Sequence, residues 1–144
     1  MRVKKVNRYY CDFCKKAGCA GGHIRKHEER CTKNPNRICG MCKMLGRDQP
    51  KLQDLLDILP NPKEYEDNEY TGEFMPYHSG LAEDVDKLLP QLRKLTNNCP
   101  ACIMAALRQK GIPIPLVRNF NFANECKDIW TDINEANLAE DYPY

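Results

Sequence analysis

The sequence predicts a small, mostly helical α+β protein, in which a basic metal-stapled module at the N-terminus precedes a helical body. Three observations lead there: cysteines arranged as CxxC pairs, a sharp division of charge between the two ends, and leucines recurring at helical spacing in the middle. At 144 residues the chain has room for one domain or two very small ones. A segment of about 40 residues rarely buries enough apolar surface to fold unaided, so the N-terminal part needs a staple.

The nine cysteines can supply it as disulfides or as metal ligands. An odd count, with Cys11/Cys14, Cys39/Cys42 and Cys99/Cys102 each forming a CxxC pair, fits metal ligation in a reducing compartment better than a closed disulfide framework. The opening Met1-Arg2-Val3-Lys4-Lys5 lacks the apolar run of a signal peptide, no stretch reaches 18 apolar residues, and no lipidation motif ends the chain. The expectation is a soluble, cytoplasmic protein without a membrane role.

The net charge of +2 hides an asymmetry. Residues 1–37 carry 11 Lys/Arg against 3 Asp/Glu, a balance of +8, whereas residues 38–144 carry 11 against 17, a balance of −6. A basic block that coincides with a structural module suggests a polyanionic partner, DNA or RNA; the alternative is pairing with the acidic half of the same chain.

In chain order, the first element is the basic module, residues 1–37. Cys11, Cys14, His27 and Cys31 read C-x2-C-x12-H-x3-C. A CxxC turn presents two thiolates to one ion, and a histidine and cysteine four residues apart project from one face of a helix to complete a tetrahedron. Cys19 stays outside this set, because using it would shorten the loop to His27 to seven residues. Over residues 8–32 the pattern resembles the ββα zinc finger of the C2H2 class, in its variant with cysteine as last ligand. Tyr9 and Ile24 stand where that family carries an aromatic and a leucine in its core. Gly18 replaces the second core aromatic, and Gly21-Gly22 fall at the helix start. The resemblance implies a zinc ion, with base-reading places on Ala20, His23 and Lys26. Alanine cannot hydrogen-bond a base edge, and a single finger covers about three base pairs, so sequence reading should be weak. Phosphate contact is better supplied, by Lys15, Lys16, His23, Arg25, Lys26 and Arg30, with Lys4, Lys5, Arg8, Lys33 and Arg37 around them.

The body, residues 38–144, opens on Cys39-Gly-Met-Cys42. With Cys99-Pro-Ala-Cys102 this offers four thiolates to a second zinc, a clasp whose long loop resists the usual ribbon form but not the chemistry. Asp48, Gln49 and Pro50 predict the start of a helix whose Leu52, Leu55, Leu56 and Leu59 pack inward until Pro60. Residues 60–80 read as an irregular loop of prolines, acids and tyrosines, able to order against a protein partner. Leu81, Val85, Leu88, Leu92 and Leu95 predict one buried helical face, bent at Pro90. A helix opening at Pro100 should stop near Gly111. After an extended IPIPLV stretch, Phe122, Cys126, Ile129, Trp130 and Ile133 predict a last, acidic helix whose apolar face is core.

Enzymatic signals are weak. A CxxC at a helix start can be redox-active, but no strand run precedes Cys99 to supply a thioredoxin-like βαβ context. His27 is spent on metal, His78 sits in the loop, and no phosphate-binding glycine loop, nucleophile elbow or metalloprotease helix occurs. Taken whole, YYCDFC, HIRKHEERCTKNP, CGMC, CPACIMAALRQ and the Trp-bearing final helix resemble small uncharacterised zinc-finger proteins of phages and bacteria. That resemblance implies a zinc scaffold in a bacterial cell or phage-infected host, with no established activity. The expected function is a non-enzymatic zinc protein that contacts nucleic-acid phosphates through its basic finger. The alternative is a protein-interaction module using the 60–80 loop or the acidic last helix.

Overall fold

Two short strands, β1 (Tyr9–Tyr10) and β2 (Ala17–Gly18), pair antiparallel with Tyr9 opposite Gly18 and Tyr10 opposite Ala17. The ten-residue helix α1 (Gly21–Arg30) follows and packs against both. The structure, a computed structural model, describes residues 1–65 and 79–141. Of the module's three glycines, Gly21 has a steric reason, since a Cβ there would lie 3.2 Å from the Tyr9 ring; a Cβ on Gly18 would meet Ile24 Cδ1 at an ordinary 3.5 Å, and one on Gly22 would meet nothing within 4 Å. Ile24 is buried, but Tyr9 remains 42% exposed, so the expected aromatic core residue covers the helix start from outside instead of filling a core.

Apart from ligand-type cysteines, Ile24 is the only buried apolar residue of this module among the described residues. Burying one such side chain contributes about 2–3 kcal/mol, while ordering a single backbone residue costs about 1–2 kcal/mol. Roughly 20 ordered residues cannot be held on that basis. The module needs another source of cohesion.

The body differs. Helices α3 (Leu52–Ile58), α4 (Ser79–Thr96), α5 (Pro100–Lys110) and α6 (Phe122–Asp141) surround one apolar cluster of 13 buried residues. Its centre is α5, whose Cys102, Ile103, Met104, Ala105, Ala106 and Leu107 are all buried, and which packs against α3, α4 and α6. Proline at its first position and Gly111 in the left-handed region (φ 82°) bound that helix. Among the described residues, no helix is long and apolar enough to cross a membrane.

Several expectations need correction. α3 begins at Leu52, with Lys51 before it making no side-chain cap, rather than at Asp48, because Gln49 is drawn into hydrogen bonds with residues 37 and 39. The buried stripe of α4 runs Leu81, Val85, Leu89, Leu92 and Thr96 instead of through Leu88 and Leu95, and Leu95 is 44% exposed. Spacing by four, four, three and four tracks the 3.6-residue turn as well as the expected pattern does; the neighbouring helices select between them. As expected, Pro90 does not divide α4, which runs unbroken from Ser79 to Thr96 with Pro90 exposed. The IPIPLV stretch contains a 3-10 turn at Ile114–Leu116 and is not extended throughout. Within the expected loop 60–80, Pro62–Tyr65 forms a 3-10 turn, Tyr65 donates to the Asp84 carboxylate, and Ser79 and Gly80 already belong to α4. The remainder of that loop, with His78, lies outside the described residues. On α6 the apolar residues Phe122, Cys126, Ile129 and Ile133 are half-buried and Trp130 is 48% exposed, so this face lies on the body's edge and is not core.

Module and body are in contact. The chain leaving α1 returns through Ile38, whose N–H donates to the Glu29 carbonyl at 2.8 Å. From the last turn of α5, Arg108 donates to the Thr32 hydroxyl at 2.9 Å, and the Gln109 amide donates to the carbonyls of Thr32 and Asn34 at 3.0 and 2.9 Å.

Candidate metal centres

The β1–β2 turn carries Cys11 and Cys14, the last turn of α1 carries the half-buried His27, and Cys31 ends the helix. Their donor atoms all lie within 4.8 Å of one another, with Cys14 Sγ 3.1 Å from His27 Nε2. The Phe13 N–H donates to Cys11 Sγ and the Lys16 N–H to Cys14 Sγ, each at 3.4 Å. Such N–H···S bonds favour thiolates over thiols. Burial by itself pushes the Cys14 thiol up, but the Lys16 N–H, His27, Cys11 and Cys31 outweigh it and lower it to about 7. Burial raises Cys31, and the sulfurs of Cys14 and Cys11 add to the rise.

The second cluster joins residues far apart in sequence. Cys39 caps the short helix α2 (Gly40–Met44), its Sγ accepting from the Cys42 N–H at 3.4 Å. Gly46, in the left-handed region at φ 66°, turns the chain back after α2, and Arg47 N–H donates to the Cys42 carbonyl at 2.9 Å. Cys99 caps α5 and Cys102 lies in its first turn. What aims them is the α4–α5 corner, where consecutive Asn97 and Asn98 adopt left-handed backbone (φ 53° and 59°). Asparagine tolerates that region better than other side chains. Arg47 Nη1 fastens the corner by donating to the Asn97 carbonyl at 2.5 Å.

All four sulfurs are buried and lie within 4.8 Å of one another. Cys39 Sγ is 3.6 Å from Cys99 Sγ, and Cys42 Sγ is 3.6 Å from Cys102 Sγ. A tetrahedral ion with metal–sulfur bonds of about 2.3 Å places its sulfurs about 3.8 Å apart, whereas a disulfide needs about 2.05 Å. The donor set therefore fits a four-coordinate cation. Its electrostatics agree: hydrogen bonds from Cys102 and Cys99 drive the Cys39 thiol far below its usual range. Burial, with Cys99 beside it, pushes Cys42 up to about 12, and hydrogen bonding to Cys39 and Cys99 raises Cys102. Four sulfurs this close repel one another when ionised, so negative charge on one raises its neighbours.

Other expected residues are distributed as follows. Lys15, Lys16, His23, Arg25, Lys26 and Arg30 are all exposed on the module. The Arg30 side chain lies over Gly40, 3.4 Å from where a Cβ would stand. Cys19 is exposed and Cys126 half-buried, and neither joins a cluster. The one ion pair among the described residues, Arg93 with Glu125, lies within the body, so no described salt bridge neutralises the module against the acidic half.

Two residues at the second cluster escaped sequence reasoning. Gln49 accepts from the Cys39 N–H at 2.5 Å and donates to the Arg37 carbonyl at 2.9 Å. Arg37, expected with the surface cations, is only 7% exposed, and its Nη1 points at Cys102 Sγ from 4.0 Å. No spacing rule announces either one. Comparison with family models, characterised proteins and solved structures returns no match.

Proposed function

We propose that this chain is a non-enzymatic zinc protein holding two structural zinc ions, whose basic N-terminal finger binds nucleic-acid phosphates. The carrying observation is the assembly of eight residues into two tetrads, Cys11/Cys14/His27/Cys31 and Cys39/Cys42/Cys99/Cys102, each with the four protein donors of a structural site instead of the three that leave a coordination position open. Zinc suits sulfur-rich, four-coordinate, non-redox sites. The cross-wise sulfur contacts, Cys39 with Cys99 and Cys42 with Cys102, favour a shared ion over a redox disulfide within either CxxC. Nucleic acid as the partner is supported by the six exposed cationic or imidazole side chains, Lys15, Lys16, His23, Arg25, Lys26 and Arg30, none in a described ion pair. Several phosphate contacts of this kind give a steep salt dependence without base selection.

Mixed-sequence duplex DNA and a structured RNA in gel-shift titrations at increasing salt test the reading. Affinity should fall steeply with salt, and Lys15→Ala with Lys26→Ala should flatten that slope by about two phosphate equivalents. Absence of binding to either polymer at low salt refutes it.

One observation favours a second reading, a protein-interaction module. Leu45 and Arg47 face Ile129, Asp132, Ile133 and Ala136 of α6 across an open depression of about 210 Å³, and Trp130 on the same helix is exposed. Co-purification of a protein that survives nuclease treatment and is lost on Trp130→Ala supports that reading instead.

A further inference from the structure

Arg37 is a buried cation without a conventional counter-charge. Its side chain is 93% removed from solvent (7% exposed), its Nε has no hydrogen-bond partner, and no carboxylate among the described residues forms an ion pair with it. Burying a guanidinium unpaired costs several kcal/mol, so an anion is required nearby. The adjoining cavity, lined by Gln49, Pro50, Leu52 and Leu55, is about 10 Å³ and has no room for a free anion. What the guanidinium does face is sulfur: Nη1 points at Cys102 Sγ from 4.0 Å. The carbonyl of Arg37 is also held, by the Gln49 amide that bridges to the Cys39 N–H.

We infer that Arg37 is the counter-charge of the four-cysteine centre, a positioning residue that stabilises four bound thiolates and locks the metal in a slow-exchanging, unreactive state. A divalent ion with four thiolates carries a net charge of −2, and a fixed guanidinium at the sulfur side reduces it. Donation to Cys102 Sγ lowers that thiolate's nucleophilicity and its tendency to dissociate, as outer-shell partners do at other metal sites. Arginine is suited to the place because it stays charged when buried. This inference rests on the metal reading of the second cluster and is independent of nucleic-acid binding.

The test uses the full chain loaded with zinc or cobalt(II), comparing wild type, Arg37→Lys and Arg37→Met. Zinc transfer from the four-cysteine site to a chromogenic chelator should quicken roughly 10- to 100-fold in Arg37→Met, the usual range for losing an outer-shell partner. Arg37→Lys, which keeps the charge, should stay near the wild-type rate. The sulfur-to-cobalt charge-transfer bands should move to longer wavelength in Arg37→Met only, because removing a positive charge raises the sulfur lone pairs. A packing role alone would move neither spectrum. Equal release rates and unshifted bands in Arg37→Met overturn the inference; absence of thiolate–cobalt bands from this site in wild type overturns the metal reading itself. Should the variants not fold, N-ethylmaleimide mapping on loaded wild type decides. Cys42 and Cys102 are 1% and 2% exposed, so access does not separate them. Cys102 should be alkylated more slowly than Cys42, and equal rates overturn the inference.

Discussion

Replacing Cys99 and Cys102 together by alanine removes the clasp between the start and the last third of the body while leaving the apolar cluster in place. Cys39 and Cys99 are 60 residues apart. Treating the metal as a cross-link, the chain-entropy relation for a loop of that length gives about 4 kcal/mol at 25 °C. A body of this size has a urea dependence of about 1.5 kcal/mol per molar, so the unfolding midpoint should fall by roughly 3 M. Trp130, the single tryptophan, lies half-exposed on α6, which packs against α5, so its fluorescence should change as the body unfolds. Wild-type protein treated with a strong chelator should match the double variant, since both lack the same cross-link. A midpoint within about 0.5 M of loaded wild type, in either experiment, would refute the clasp and leave the apolar cluster as sufficient to hold the body.

Chelation should unfold the N-terminal module before the body, because Ile24 is its only buried apolar residue outside the ligands; backbone amide exchange at residues 9–31 should rise first. Ile103→Ala, at a side chain with no exposed surface in the centre of α5, should cost about 2–5 kcal/mol in urea unfolding with metal content unchanged. Gly111→Ala meets no atom within 4 Å of the new Cβ but keeps a φ of 82°, so backbone strain alone should lower stability by roughly 1–2 kcal/mol. Cys19→Ala with His23→Ala should leave two zinc per chain by atomic emission, since neither belongs to a cluster.

The sequence by itself determined which residues form the two clusters, the order of the helices and the ends of α5. A CxxC turn, a His-x3-Cys on one helical face, a proline at a helix start and a glycine after its end each act through local geometry, over at most one or two turns of chain. Pairing Cys39/Cys42 with Cys99/Cys102 needed only that two half-sites each lacked two ligands. Tertiary structure decided what depends on neighbours distant in sequence. It set the stripe of α4 that is buried, left the apolar face of α6 half-open, and pulled Gln49 away from the helix it was expected to start. It also turned Arg37 from a surface cation into a buried one. Burial is a property of the assembled chain, and a charged side chain shows in its own sequence neighbourhood nothing of the anion it will be folded against.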